Sequence, residues 1–413
     1  MPSYAAPGVY VEEVPAAAPI VGVGTSTPVF IGMWPNPDTV SPSLAKAGDI
    51  VACTNITEFK AAFGDFTAAP VAASSSAAAS TGSAPKTASA AAAVASVNAG
   101  LNTLGHAVRG FFENGGTMCY VVRVTADSEI DGALAKLEAY DDIAMVAAPG
   151  LTADPAKAAL ITSLVTHCAG MGDRIAILDA PQSITDPAKD LVPLLPPAVN
   201  ALYPKTDFAA VYTPWLIVFD DATQSEKAVP PSGHIAGIYA RVDATRGVHK
   251  APANEQVFGV IRPVARIGKA QQAAVNLAGG NCIRTMNGAL KVWGARTLAG
   301  DASLHKYVPI RRLLSFLYKS IDHGTQWSVF EPNGPDLWAR IIRNVGSFLT
   351  SVWSQGALAG ASAQEAFYIK CDAENNPPDQ RASGQLVVEV GVATVFPAEF
   401  VVFRIQQFTG PIK

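Results

Sequence analysis

Charge is scarce in this sequence. Of 413 residues only 30 are Lys or Arg and 34 are Asp or Glu, so charged side chains make up 15%, against about 25% in ordinary soluble domains. Hydrophobic residues reach 49%. That balance excludes intrinsic disorder, which needs low hydrophobicity and high net charge. Long apolar runs are missing too: stretches such as Val211 to Phe219 have the length of strands, and no run offers a membrane-spanning helix. The five cysteines, Cys53, Cys119, Cys168, Cys282 and Cys371, are scattered, odd in number and without a CxxC pair. They indicate neither a zinc site nor a disulfide framework and read as small buried apolar residues in a reducing compartment. HExxH, GxxxxGK[ST] and any dense Lys/Arg run are absent, so no metal or cofactor is expected and no nucleic-acid module is recognised. The first residues lack a basic region and place Glu12 and Glu13 where the apolar core of a secretion signal would run. Synthesis in the cytoplasm is expected.

What is present is a chain long enough for two or three domains, rich in apolar residues and poor in surface charge. A subunit of a large assembly, covered by other chains, has this composition. The charge is also uneven. Residues 1–240 hold 11 Lys+Arg and 22 Asp+Glu, a net of −11, and residues 241–413 hold 19 and 12, a net of +7. The split suggests that the C-terminal portion faces an acidic partner, and a protein is favoured over nucleic acid.

The first 25 residues read as an arm. Pro2, Pro7, Pro15 and Pro19 prevent a helix, and the short β-prone run Val9 to Glu13 cannot stand alone as a strand. A buried strand is expected at Pro28 to Gly32. Residues 68–99 are Ala/Ser-rich and read as an outward insertion without chemistry. Beyond them helices (Leu104–Phe112, Asp131–Tyr140, Lys157–Cys168) alternate with strands (Met118–Val124, Ile143–Ala147, Arg174–Leu178, Ala209–Phe219), which indicates a largely parallel sheet with helices on its faces. The last third reads as a helix at Arg311 to Ile321, with Leu313, Leu314, Leu317, Tyr318 and Ile321 on one face. A longer helix follows between Pro335 and Gly356, its apolar stripe running from Leu337 to Trp353 and its opposite face carrying Arg340, Arg343 and Asn344. Strands at Leu386 to Val392 and Glu399 to Gln407 close the chain.

Catalytic chemistry finds no support. Gly24-Thr25-Ser26 and His323-Gly324-Thr325 superficially match protease segments, but their order is reversed and no third member can be written. The six histidines form no metal-binding spacing, and Asp141-Asp142 and Asp220-Asp221 read as solvated turn residues.

Several segments together resemble the tail sheath protein family of contractile phage tails and contractile injection systems. They are Pro7 to Glu13 leading to Gly24-Thr25-Ser26-Thr27 and Phe30-Ile31-Gly32; Phe111 to Gly116 followed by Cys119 to Val124; and Val229 to Gly237, continuing through Asp243, Arg246-Gly247-Val248 and Lys250 to Asn254. Trp293 to Leu298, Tyr307-Val308 with Arg311-Arg312, Phe330 to Asn333 with Leu337-Trp338, Ala366-Phe367 with Lys370-Cys371-Asp372, and Pro397 to Val401 extend the likeness. The insertion at 68–99 has no counterpart, and Thr394 stands where a proline is common.

The resemblance implies a subtilisin-like, non-catalytic α/β domain (26–295) and a C-terminal α+β domain (296–395) facing an inner tube, with arms at 1–25 and 396–413. It also implies hexameric rings stacked helically around the tube, partner baseplate and cap proteins, no nucleic acid and no membrane insertion. The sheath would contract to drive the tube through a target envelope. Val9, Tyr10, Val11 and Glu12 at one end, and Phe400, Val401, Val402, Phe403, Arg404 and Ile405 at the other, are candidates for strand exchange between subunits; the alternative is that both strands complete the subunit's own sheet. Lys319, Arg340 and Arg343 are candidates for a tube-facing surface, the alternative being salt bridges between sheath domains.

Overall fold

In a computed structural model the protein is described over residues 19–34, 45–67 and 102–404. Val9 to Glu13, the insertion at 68–99 and Ile405 lie outside these residues. The chain forms two compact units, one of Val23–Tyr318 with Val395–Lys413, the other of Met1–Gly22 with Lys319–Thr394.

The larger unit is built on a nine-stranded sheet. Its members are β1 (Pro28–Met33), β2 (Ile50–Cys53), β3 (Cys119–Val124), β4 (Met145–Ala147), β5 (Ile175–Asp179), β6 (Ala209–Thr213), β9 (Glu255–Gln256), β11 (Asn281–Met286) and β12 (Ala289–Val292). They lie in the order β2-β3-β1-β4-β5-β6-β11-β12-β9. The run from β3 through β1, β4, β5 and β6 to β11 is parallel. Antiparallel strands finish both edges.

Near-continuous apolar strands are what a sheet covered on both faces requires. Val29 and Ile31 enter one buried cluster and Phe30 the other; Ala176 and Leu178 likewise oppose Ile175 and Ile177. Helices α3 (Ile130–Leu137) and α4 (Ala158–Met171) line the first face. Helices α2 (Thr103–Glu113) and α5 (Ser232–Arg246) line the second, and α1 (Ile56–Phe63) adds aromatic rings there. The contact between α2 and α5 is unusually close. A Cβ on Gly233 would lie 2.3 Å from the Ala107 carbonyl oxygen, and one on Gly237 2.4 Å from that of Phe111. This gives the glycines of the Val229–Gly237 segment a packing role.

The strand expected over Ala209–Phe219 is two strands. Pro214 has no N–H to give a ladder, and beyond it β7 (Leu216–Asp220) leaves the main sheet to join β8 (Ser225–Val229) and β10 (Arg262–Pro263) in a separate three-stranded sheet. Helix α6 (Lys269–Leu277) precedes β11.

The units part at Tyr318/Lys319, inside helix α7 (Val308–Thr325), so that residues 296–318 stay with the larger unit. The reason is hydrogen bonding: Leu298 N–H donates to Ala209 C=O (3.0 Å), Thr206 N–H to Leu298 C=O (3.2 Å) and the Asn281 amide to Arg296 C=O (2.8 Å), tying this stretch to the sheet. The charge reading changes with it. Residues 241–318 hold 12 Lys+Arg and 3 Asp+Glu, a net of +9, while 319–394 hold 5 and 8, a net of −3. The basic portion therefore belongs to the α/β unit.

The face of α7 also differs from the expected one. Arg312, Ser315, Lys319 and Ser320 are buried beside Leu313 and Leu317, and Tyr318 is exposed.

In the smaller unit α8 (Pro335–Ser354) carries Pro at its first position, with Gly356 at φ 79° just past its end. Leu337, Trp338, Ile341, Val345, Phe348, Leu349 and Val352 are buried, and so, against expectation, is Asn344. The helix packs against the two-stranded antiparallel sheet of β13 (Phe367–Lys370) and β14 (Glu389–Val392). β14 starts later than expected because the Asn376 side chain takes both backbone groups of Val387, at 2.7 and 2.9 Å.

Candidate interaction site

The expected C-terminal strand has no ladder among the described residues: Glu399–Arg404 pairs with no strand. Phe400, Val401, Val402 and Phe403 are 70–84% exposed. Four consecutive apolar side chains in solvent form a continuous patch, not a scatter of single residues. In the smaller unit the two-stranded sheet of β13 and β14 is short of strands for independent stability.

The root of that exposed segment is fixed. Glu399 receives two hydrogen bonds from Arg296, Nε to Oε1 at 2.9 Å and Nη2 to Oε2 at 2.7 Å. It also accepts from the Tyr307 hydroxyl (2.7 Å) and the Asn276 amide (2.6 Å). The Arg296 side chain is 6% exposed and also reaches Asp301 at 3.1 Å. Burial pushes the Glu399 carboxyl up, but the bonds from Arg296, Asn276 and Tyr307 outweigh it and hold it below its usual range. An antiparallel bridge between Arg296 and Tyr307 aligns the two donors.

A second anchor holds the other end of the same unit. Arg312, buried on α7, donates to both oxygens of Asp243 on α5 at 2.9 and 2.5 Å. It also donates to the Thr25 carbonyl at 2.9 Å, while the Thr25 hydroxyl donates to Asp243 at 2.6 Å. The Arg312 and Asp243 side chains are 4% and 3% exposed. The guanidinium lies 4.7 Å from the centre of the Tyr239 ring, whose hydroxyl meets that of Tyr212 at 2.5 Å. The Thr25 hydroxyl, part of the segment with a superficial protease likeness, is committed to this anchor.

Of the proposed tube-facing cations, Arg343 is exposed. Arg340 pairs with Glu331 at 3.3 Å and stacks 4.4 Å from the Trp327 ring. Lys319 is only 7% exposed and so leaves that surface. Sequence reading missed Asn276 and Asp301 as members of the Glu399 anchor, because neither stands in a motif.

Elsewhere the polar clusters are structural. Asp179 accepts from the backbone and hydroxyl of Ser232, both at 2.8 Å, and from Gly150 N–H at 3.1 Å. That caps α5 and involves no histidine. Asp220 pairs with His106 at 3.3 Å and accepts from Asn102 and Thr223. Among the described residues no group of three or more His, Cys, Asp or Glu could hold a metal ion, and no helix is long and apolar enough to cross a membrane.

A large mixed sheet that carries an exposed apolar segment fixed at its root is a scaffold of the kind that structural subunits present. The chain belongs to the phage tail sheath family: the model of the phage tail sheath protein central domain matches residues 124–298 and that of the phage tail sheath C-terminal domain residues 301–408. It is 26% identical over 271 residues to a Pseudomonas aeruginosa protein named as a prophage major tail sheath protein, a match over 63% of this chain and 64%, under two thirds, of that one. Among solved structures it is similar to the contracted sheath of the extracellular contractile injection system PVC, with a TM-score of 0.74 and 27% identity over 98% of this chain and 99% of the other. The contracted helical sheath of the anti-feeding prophage gives 0.71 and 29%, over 98% and 100%.

Proposed function

We propose that this chain is a contractile sheath subunit, polymerising in hexameric layers around an inner tube and shortening to drive that tube through a target envelope. The observation that carries the reading is the exposed apolar segment Phe400–Phe403 beyond a fixed root, in a chain similar over nearly its whole length to sheaths solved in a contracted state. Such a segment gains backbone hydrogen bonds, each worth a net ~1 kcal/mol, only by adding to another sheet. The β13–β14 sheet of a neighbouring copy is the acceptor we assign, with the N-terminal arm, residues 1–25 including Val9–Glu12, as a second donor strand. Arms of this kind let rigid units reorient without dissociating.

In this reading the α/β unit is a non-catalytic, subtilisin-like scaffold. The run of parallel strands with helices on both faces supports it. Arg340 and Arg343 meet the tube, and baseplate and cap proteins close the ends of a phage tail-like particle assembled in the cytoplasm. Electron microscopy of the purified chain tests the reading: cog-like tubes with a wide lumen are expected, and persistent monomers would refute it. Removal of residues 1–20 should leave a folded subunit that forms no contractile tube. Reversing the charge of Arg340 and Arg343 together should hinder extended assembly, and normal full-length extended particles would remove both from the tube surface.

A further inference from the structure

The two anchors share one carrier. Arg296 and Tyr307, which hold the root of the C-terminal segment, and Arg312, which holds Thr25, all stand within residues 296–312. That stretch is a folded-back piece running into the first turn of α7: Thr297 N–H donates to Lys306 C=O at 2.9 Å and Val308 N–H to Ala295 C=O at 2.9 Å. Each anchor is a buried arginine gripping a carboxylate with two prongs, which fixes direction as well as distance. Each also draws in a residue distant in sequence: Glu399 lies 103 positions from Arg296, and Thr25 287 from Arg312.

We propose that residues 296–312 are a common fixture for both arms, with Arg296, Tyr307 and Arg312 acting as positioning residues that set the direction in which each arm leaves the α/β unit. This rests on the reading that the arms exchange between copies, and it adds which residues aim them. Hydrogen bonding to the carboxylates of Glu399 and Asp243 converts a flexible connection into a fixed exit. Arms aimed alike in every copy meet their acceptors in one register. A pull on either arm is delivered to the same short segment.

The test uses the full-length chain. Spin labels at Val402→Cys and Lys269→Cys, both exposed positions of the α/β unit, report the direction of the C-terminal root; the native cysteines are buried. A narrow distance distribution is expected with Glu399 in place, broadening about twofold or more in Glu399→Ala as the supporting bonds go. Tyr307→Phe, which spares the ion pair, should broaden it less. Equal widths in all three chains would overturn the proposal. If Glu399→Ala does not fold, Arg296→Lys, which keeps the charge and loses the fork, is measured in its place: broadening is expected, and an unchanged width would overturn the proposal.

Assembly separates this proposal from the one beneath it. Glu399→Ala should fold yet give sparse, irregular tubes, and removal of residues 400–413 should give none. Normal tubes from Glu399→Ala alone would refute the fixture and leave strand exchange standing; normal tubes from the truncated chain would refute strand exchange itself.

Discussion

Arg312 and Asp243 show how much of this fold depends on single side chains. Two opposite charges, each under 5% exposed, compensate one another, and removing one leaves the other buried and unpaired. Arg312→Met should therefore cost about 3–5 kcal/mol, with the Arg312→Met/Asp243→Leu double variant losing much less than the sum of the two; urea unfolding of both variants measures it. Additive losses, the double variant losing the full sum of the two single variants, would show the pair to be incidental. Acid sensitivity also belongs to single residues. Burial pushes His234 down to about 3 and His106 down to about 4, so the stability that these groups contribute is full above their unfolded pKa of about 6.5 and drains away as pH falls toward 4. Asp179, raised by burial to about 6, acts oppositely and recovers stability over the same interval. The two histidines outweigh the one carboxyl, so stability should fall between about pH 6.5 and 4.5. A urea midpoint that falls across this range, with a shallower fall in His234→Gln, is the expected result; an unchanged midpoint would contradict it.

Elements follow packing more than pattern. The close approach of α2 and α5 leaves no room for a side chain at Gly233, so Gly233→Ala should cost about 1–3 kcal/mol or more. Gly170→Ala, on the exposed side of α4 with nothing within 4 Å, should be neutral or stabilise by up to about 1 kcal/mol; thermal unfolding of the pair compares them directly. The alternation of helices and strands was legible because period and length agree in α2, α4, β3 and β5. The face of α7 was not, since burial there follows the partners of Arg312 and not the leucine spacing. The break at Pro214 was not read, because the apolar run continues on both sides of it. The Glu399 anchor could not be read: its donors come from α6 (Asn276) and from the stretch holding Arg296 and Tyr307, whose meeting with Glu399 only the tertiary fold decides.

Across the whole molecule, charge is sorted along the chain in a way that the fold makes spatial. Residues 23–240 hold 11 Lys+Arg and 20 Asp+Glu, a net of −9, and residues 241–318 a net of +9. The basic stretch supplies β11, β12 and β9 at one end of the main sheet. Copies meeting head to tail would bring unlike ends together, so tube formation followed by light scattering should weaken as salt rises to roughly 0.5 M, where screening is short-ranged. Salt-independent assembly would assign the contacts to apolar burial alone. The low overall charge of the chain fits a subunit most of whose surface is shared with other copies.

Phe400 to Phe403 also bear on how the subunit is handled before assembly. Successive residues of a strand point to opposite faces, so this segment is apolar on both sides and must be sandwiched, not merely laid on a surface. Until then it is an uncapped, sticky strand of the kind that seeds non-native aggregation. A cell making this protein must keep the unassembled pool small, through polymerisation that outpaces self-association or through a chaperone that sheathes the strand. Where tube formation is blocked and that segment is kept, the chain should aggregate more readily than a variant lacking the segment.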